Sequence, residues 1–233
     1  MKRTALKTVF LDTVPVMTGY LFLGVSFGIL LEETGYGLPW AFCMAFFMYA
    51  GSAQFLSVSL LANHASFLST GIAIFLLNAR HIFYGISLID TYKGTGKKKP
   101  YLIFSLTDET YSLVTQNNPP EGMKRHTYCF LVSVLDHCYW VIGCVIGSIA
   151  GNFIPISFEG IDFVLTALFV TLFVEQWLSN KNHFPAIVGV VATALCLLIF
   201  GKEIFLIPSM VLIAITLTTA RKTGKRKEDA AHA

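Results

Sequence analysis

Asn78, Ala79, Arg80 and His81 stand in the middle of an apolar run that begins at Phe75 and continues to Tyr84. An arginine at mid-bilayer costs about 2.5–3.5 kcal/mol on insertion scales, and apolar packing needs none. The planar guanidinium of Arg80 can bind a carboxylate through paired hydrogen bonds. It can equally pair permanently with an intramembrane acid, or snorkel to an interface about ten residues away. Asn78 and His81 are three apart and share a helix face, with Arg80 turned about 100° from His81. His81 has the residue chemistry to carry a proton at physiological pH.

Two further groups carry candidate chemistry. In Ala50-Gly51-Ser52-Ala53-Gln54, the small residues leave room for a backbone or a ligand to approach. A glycine–serine pair can also unwind a helix and free its backbone groups for binding. Gln54 adds donors and an acceptor. The plainer alternative is a small-residue packing face with one interhelical hydrogen bond. In the segment 101–115, Ser105, Asp108, Glu109 and Ser112 fall on one helical stripe. Asp108 and Glu109 are candidate partners for Arg80 and candidate proton carriers, unless the segment is an interfacial helix with a wet face. Asp136-His137 and Glu175-Gln176 are weaker candidates, with Asp136 the deeper in its span. Gln54 and Asn78 are expected to face each other or a shared cavity, because an amide exposed to hydrocarbon leaves its hydrogen bonds unmet.

Several chemistries are not signalled. The chain has no H-E-x-x-H, G-x-S-x-G or Walker A pattern, so an enzyme is not expected. The five cysteines, Cys43, Cys129, Cys138, Cys144 and Cys196, lie in apolar runs without metal-ligand spacing. They read as buried small apolar side chains. No cofactor, metal or nucleic-acid partner is expected.

These residues must be positioned by membrane helices. Hydrophobic residues make up 55% of the chain and charged ones 13%, against about 25% charged in a soluble domain. The mean hydropathy is +0.64. The 233 residues allow about seven or eight spans of roughly 20 residues. The expected fold is therefore an all-α, polytopic membrane helical bundle forming one domain, with broken or re-entrant helices. Apolar segments fall at 12–31, 38–62, 67–89, 101–115, 126–150, 161–178, 185–200 and 204–220. Residues 1–11 and 221–233 read as basic tails. No small-residue cleavage site follows the first run, so it is expected to stay as the first span.

Lys2, Arg3, Lys7 and the basic residues of 221–227 argue for two cytoplasmic ends and an even span count. Three spans from a cytoplasmic start would put Lys97–Lys99 outside, against that rule. One segment, 38–62 with its break at Gly51-Ser52 or 101–115, then fits a re-entrant hairpin lined by protein or water. Gly24/Gly28 and Gly143/Gly147 are expected to be helix-packing faces. Each pair precedes a glutamine and then an Asn-His, at Gln54 and Asn63-His64 and again at Gln176 and Asn182-His183. That weak echo fits a chain built from two repeats.

Taken in order, Gly51-Ser-Ala-Gln54-Phe, Asn78-Ala-Arg80-His81 and Thr107-Asp108-Glu109 resemble the AzlC family of branched-chain amino-acid permeases. The stretch Gly19-Tyr-x-x-Leu-Gly24-x-x-x-Gly28 is similar too, and the resemblance covers about residues 12–220. It implies a bacterial or archaeal inner-membrane protein that exports branched-chain amino acids and analogues such as azaleucine. It also implies a small AzlD-like membrane subunit as partner. Joined to the residues, the expected function is export by alternating access. Gly51, Ser52, Gln54, Asn78 and Arg80 would contact substrate; His81, Asp108, Glu109 and Asp136 would serve ion pairing or proton coupling. The alternatives are a non-transporting scaffold subunit, in which Arg80 and its acid only specify packing, and an ion or water channel.

Overall fold

The computed structural model describes residues 3–62, 64–153, 170, 173–174, 177–178, 182–205, 208–209 and 211–220. Two compact units divide the chain, Met1–Leu165 and Thr166–Ala233. The protein is an all-helical membrane bundle. Among the described residues four helices are long and apolar enough to cross a bilayer: Ala5–Glu33, Phe67–Ser87, Arg125–Gly151 and Phe184–Gly201. Shorter apolar helices occupy Leu38–Met48, Gly51–Ala62 and Val211–Ala220. Most of the expected span 161–178, with Glu175 and Gln176, lies outside the described residues, as do Lys2 and the tail 221–233.

The frame of the first unit is a pair of long helices, α1 (Arg3–Glu33) and α8 (Arg125–Gly151). Both cross at their glycines. A methyl on Gly24 would come within 2.9 Å of the Cys144 amide nitrogen, and one on Gly28 would collide with the backbone of Cys144, Gly147 and Ser148. Gly143 and Gly147 meet the carbonyls of Tyr20 and Val25 in the same way. Missing side chains thus let two backbones touch, the usual driving contact where lipid removes the hydrophobic one. Polar side chains along the seam are matched across it. Thr13 bonds Tyr139 at 3.1 Å, the Tyr128 hydroxyl donates to Asp12 at 3.0 Å, and Ser148 donates to Glu32 at 2.6 Å.

Helix α1 is continuous from Arg3 through the apolar run that begins at residue 12. With its carboxylate met by Tyr128, Asp12 is accommodated inside the helix. One correction concerns the thiols. Cys129, Cys144 and Cys196 are buried, but Cys43 and Cys138 lie on the outer surface, where an apolar thiol is tolerated by lipid.

Three expected segments are interrupted rather than continuous. Segment 38–62 runs as α2 (Leu38–Cys43), widens into a π-helical turn over Met44–Met48, and stops at Tyr49 in the left-handed region (φ 42°). Helix α3 (Gly51–Ala62) then starts afresh. Segment 67–89 is divided at Ala79, a tighter turn that keeps helical φ and ψ, into α4 (Phe67–Asn78) and α5 (Arg80–Ser87). Segment 101–115 is split into α6 (Lys99–Phe104) and α7 (Asp108–Gln116). Ser105, Leu106 and Thr107 are not helical, so Ser105 leaves the polar stripe expected with Asp108, Glu109 and Ser112. The cause is local. Thr107 is extended and its hydroxyl accepts from the Thr110 amide at 3.2 Å, an N-cap that starts a new helix.

In the second unit the helix Phe184–Ile204 carries Pro185 in its first turn and turns at Gly201, whose φ is +72°. That conformation suits glycine, and it falls at the junction expected between the last two apolar segments. Trp177 stacks on His183 with ring centroids 4.1 Å apart.

Candidate functional site

The three helix breaks meet. Arg80, first residue of α5, places Nη1 2.7 Å from Asp108 Oδ2, at the first turn of α7. Its Nη2 donates to Ser52 Oγ at 3.0 Å, in the first turn of α3. A helix start leaves backbone N–H groups unpaired and favours negative charge, which suits Asp108 at the head of α7. The pair is neither sealed nor open: the Arg80 side chain is 34% exposed and that of Asp108 21%.

Several polar atoms here are buried without a hydrogen-bond partner among the described residues. They include Arg80 Nε, Asp108 Oδ1, Asn78 Oδ1 and Gln54 Nε2. Two are donors and two acceptors. Most buried polar groups in proteins are paired, so each exception asks for an explanation.

The remaining predicted residues fall around this centre in distinct ways. Gln54 is fully buried and its Oε1 accepts from Trp140 Nε1 at 2.8 Å. It thus turns toward α8, while Ser52 turns toward Arg80. No hydrogen bond joins Gln54 to Asn78. Gly51 is packed by the Trp140 ring, whose nearest atom would lie 3.0 Å from a methyl placed there. His81 Nδ1 lies 3.1 Å from the Asn78 carbonyl, a contact that needs the proton on Nδ1. Glu109, next to Asp108, faces another way: its Oε2 accepts from the Tyr20 hydroxyl at 2.7 Å. Asp136 is fully buried on α8 and accepts from Thr110 at 2.7 Å. His137 bonds Tyr101 at 3.0 Å and packs against Tyr49 with centroids 4.3 Å apart.

Sequence reasoning missed the hydroxyls and the indole. Tyr20 bonds Glu109, Thr110 bonds Asp136 and Trp140 bonds Gln54, yet each of the three is ordinary in a membrane helix. One local signal existed for Thr107, a threonine immediately before two acids, the pattern of a capped helix start.

Cavity volume does not locate the site. A concavity of about 630 Å³ in the first unit is lined by Tyr36, Trp40, Met44, Ser57, His64 and Thr70 among others, with no acid or guanidinium. In the second unit a cleft of about 930 Å³ is lined by Trp177, His183, Gly189 and neighbours. Convergent charge at Arg80 and Asp108 is the better guide, because the cost of placing it in a membrane has to be met by function or by pairing.

Comparison with known proteins places the chain by its sequence. The profile of a family described as "AzlC protein" matches residues 15–154, the stretch that holds all three helix breaks. The "Branched-chain amino acid transport protein AzlC" of Bacillus subtilis strain 168 is 39% identical over 96% of this chain and 88% of its own length. An uncharacterized membrane protein of Helicobacter pylori 26695 is 39% identical over 94% of the chain and 96% of its length. One from Haemophilus influenzae Rd is 39% identical over 92% and 88%. No solved structure matches.

Proposed function

The chain belongs to the AzlC family, and from that premise we propose that it exports branched-chain amino acids across the cytoplasmic membrane. The observation that carries the reading is the Arg80–Asp108 pair, held where three helices begin and partly exposed. A zwitterionic amino acid offers each member what it already has. The substrate carboxylate replaces Asp108 on Arg80, and the substrate ammonium replaces Arg80 on Asp108. Arg80 Nε and Asp108 Oδ1, both without hydrogen-bond partners among the described residues, supply an additional donor and acceptor for the same head group. Charges stay paired whether the carrier is empty or loaded, so neither state exposes a lone charge to lipid. Alternating access needs both states to reorient.

The side chain of the substrate meets apolar surroundings. Discrimination among leucine, isoleucine and valine is then modest, about 1–3 kcal/mol per methylene. No nucleotide-binding pattern is present in the sequence, so an ion gradient is the energy source, with Glu109 and Asp136 as proton carriers. Both chain ends are cytoplasmic in this reading, as the basic flanks favour. A small AzlD-like membrane subunit completes the transporter; expression of this chain alone yields little exporting protein, and co-expression restores it.

The test is leucine efflux from dipeptide-loaded cells and counterflow of labelled leucine in liposomes. Saturable, stereoselective movement that Arg80→Ala abolishes at normal protein level is the expected result. Wild-type protein, with its partner, that moves no branched-chain amino acid would refute the reading.

A further inference from the structure

Behind the ion pair, two acids that do not touch it are joined by a line of hydroxyls. Glu109 Oε2 is 2.7 Å from the Tyr20 hydroxyl, and that hydroxyl is 2.7 Å from Thr107 Oγ1. Thr107 Oγ1 is 3.2 Å from Thr110 Oγ1, which is 2.7 Å from Asp136 Oδ2. The line runs from Glu109 on α7 to Tyr20 on α1, back to Thr107 and Thr110 at the start of α7, and on to α8, and Tyr20, Thr107, Thr110 and Asp136 are all buried.

Counting protons gives the line its meaning. It has four oxygen–oxygen contacts but only three hydroxyls, each with one proton to donate. With both carboxylates ionised, one contact has no proton between its oxygens, and two negative charges share a dry interior. One added proton fills every contact. Placed on Glu109, it sets the donors running from Glu109 through Tyr20, Thr107 and Thr110 to Asp136. Placed on Asp136, it reverses all four. Thr107 keeps its bond from the Thr110 amide in both arrangements.

We infer that Tyr20, Thr107 and Thr110 form a proton relay in which Glu109 and Asp136 hold a single shared proton and pass it between α7 and α8. In one transfer the Glu109 carboxyl gives its proton to Tyr20, Tyr20 gives its own to Thr107, Thr107 to Thr110, and Thr110 to Asp136. Four protons move one link each, every hydroxyl is restored, and the negative charge moves from Asp136 to Glu109. Asp136 Oδ1 is buried and unpartnered among the described residues. Other titratable groups around the line are Tyr49 beside Tyr20, Tyr101, Tyr139 and His137 near Asp136, and Asp108 with Arg80 beside Glu109. None of them inserts into the four contacts. Because Glu109 follows Asp108 in the chain, the charge bound at the ion pair biases which end keeps the proton.

The inference rests on the transporter reading, and its test separates the two. Full-length protein and the near-isosteric variants Tyr20→Phe and Thr110→Val are each co-purified with the small partner subunit, checked for a monodisperse folded peak, and reconstituted in liposomes. Leucine exchange at equal pH is expected to persist in both variants. Accumulation driven by a pH gradient is expected to fall at least about tenfold, as when a positioned proton donor is lost. Variants that accumulate leucine like wild type overturn the relay, and so do folded variants whose exchange and accumulation fall together. If wild type carries no leucine, the transporter reading fails, and infrared spectroscopy of the purified protein decides the relay alone. A protonated carboxylic-acid carbonyl band at neutral pH, lost in Glu109→Gln/Asp136→Asn, is expected; its absence in wild type overturns the relay.

Discussion

The glycine seam between α1 and α8 and the ion-pair site at Arg80 lie in the same unit, and they solve opposite problems. Along the seam the helices are unbroken through 31 and 27 residues, backbones touch at Gly24, Gly28, Gly143 and Gly147, and polar side chains are matched across the interface. At the site three helices stop, charge is brought into the membrane, and donors and acceptors are left over. A rigid, satisfied seam gives the site something to be measured against. Strain and unmet hydrogen bonds persist only where the surroundings over-determine them.

Breaking the seam should have the largest effect. Gly28→Val or Gly147→Val puts carbon into the backbone of the other helix, which cannot swing aside as a side chain would. Overpacking commonly costs about 1–3 kcal/mol, and a backbone obstacle puts this case at about 3 kcal/mol or more. The expected outcome is near-complete loss of the monodisperse peak on size exclusion, whatever substrate is present. Wild-type yield would show that the two helices do not cross at these glycines.

Breaking the site should cost less stability and more function. Arg80→Ala leaves Asp108 and Ser52 without their partner. The pair is partly exposed, so about 1–3 kcal/mol is expected, between the surface and buried extremes. Leucine efflux should vanish. Arg80→Lys should restore most of the stability but not the affinity, since an ammonium lacks the planar fork. Arg80→Ala/Asp108→Ala should fold better than Arg80→Ala alone while remaining inactive. Thermal melts with and without leucine, paired with efflux, check all three. A normal exporter carrying Arg80→Ala would make this residue a membrane-interface anchor.

The border between the two regions is Trp140, on the seam helix, with its indole N–H on Gln54 and its ring over Gly51. Trp140→Phe removes the donor to a fully buried carbonyl and should cost about 1–2 kcal/mol. Gln54→Leu should cost a similar amount. In the double variant the penalties should be clearly less than additive, because the second change removes a group already without its partner. Additive melting shifts would mean that the Gln54–Trp140 bond contributes nothing.

How far the sequence exposed this comparison depends on what each residue is free to do. Arginine cannot shed its proton in a protein, so the need of Arg80 for an acid was readable from position alone. The choice of acid was not. Asp108 and Glu109 are adjacent and point about 100° apart on a helix, and only the cap at Thr107 determines which one turns to Arg80. The glycine pairs were readable as packing faces, but not that they pack on each other across more than a hundred residues of chain. That Trp140 is a partner of Gln54 was not readable, because an indole in an apolar run carries no sign of where its N–H will point. The break expected at Gly51-Ser52 lies one or two residues earlier, at Tyr49 and Ala50. There the left-handed turn is set by the preceding π-helical residues, which no single residue type announces.

The smallest expected effect sharpens the comparison from the other side. Gly71 in α4 and Gly85 in α5 also sit in apolar helices, yet a methyl on either meets nothing within 4 Å. Composition alone would class them with Gly24 and Gly28. Their surroundings differ: Phe67, Leu68, Ile72 and Phe75 on α4 are all exposed on the outer surface. Alanine at these positions removes the backbone freedom of glycine and should stabilise the helix by up to about 0.5 kcal/mol. That corresponds to about 1–2 °C in the melting temperature of a chain this size. Gly71→Ala and Gly85→Ala are therefore expected to match or slightly exceed wild type in yield and efflux, although the same exchange at Gly28 is severe. A loss of efflux with normal folding of this chain would locate a contact with a second subunit on α4 or α5, and the open face would then be an interface rather than a lipid boundary.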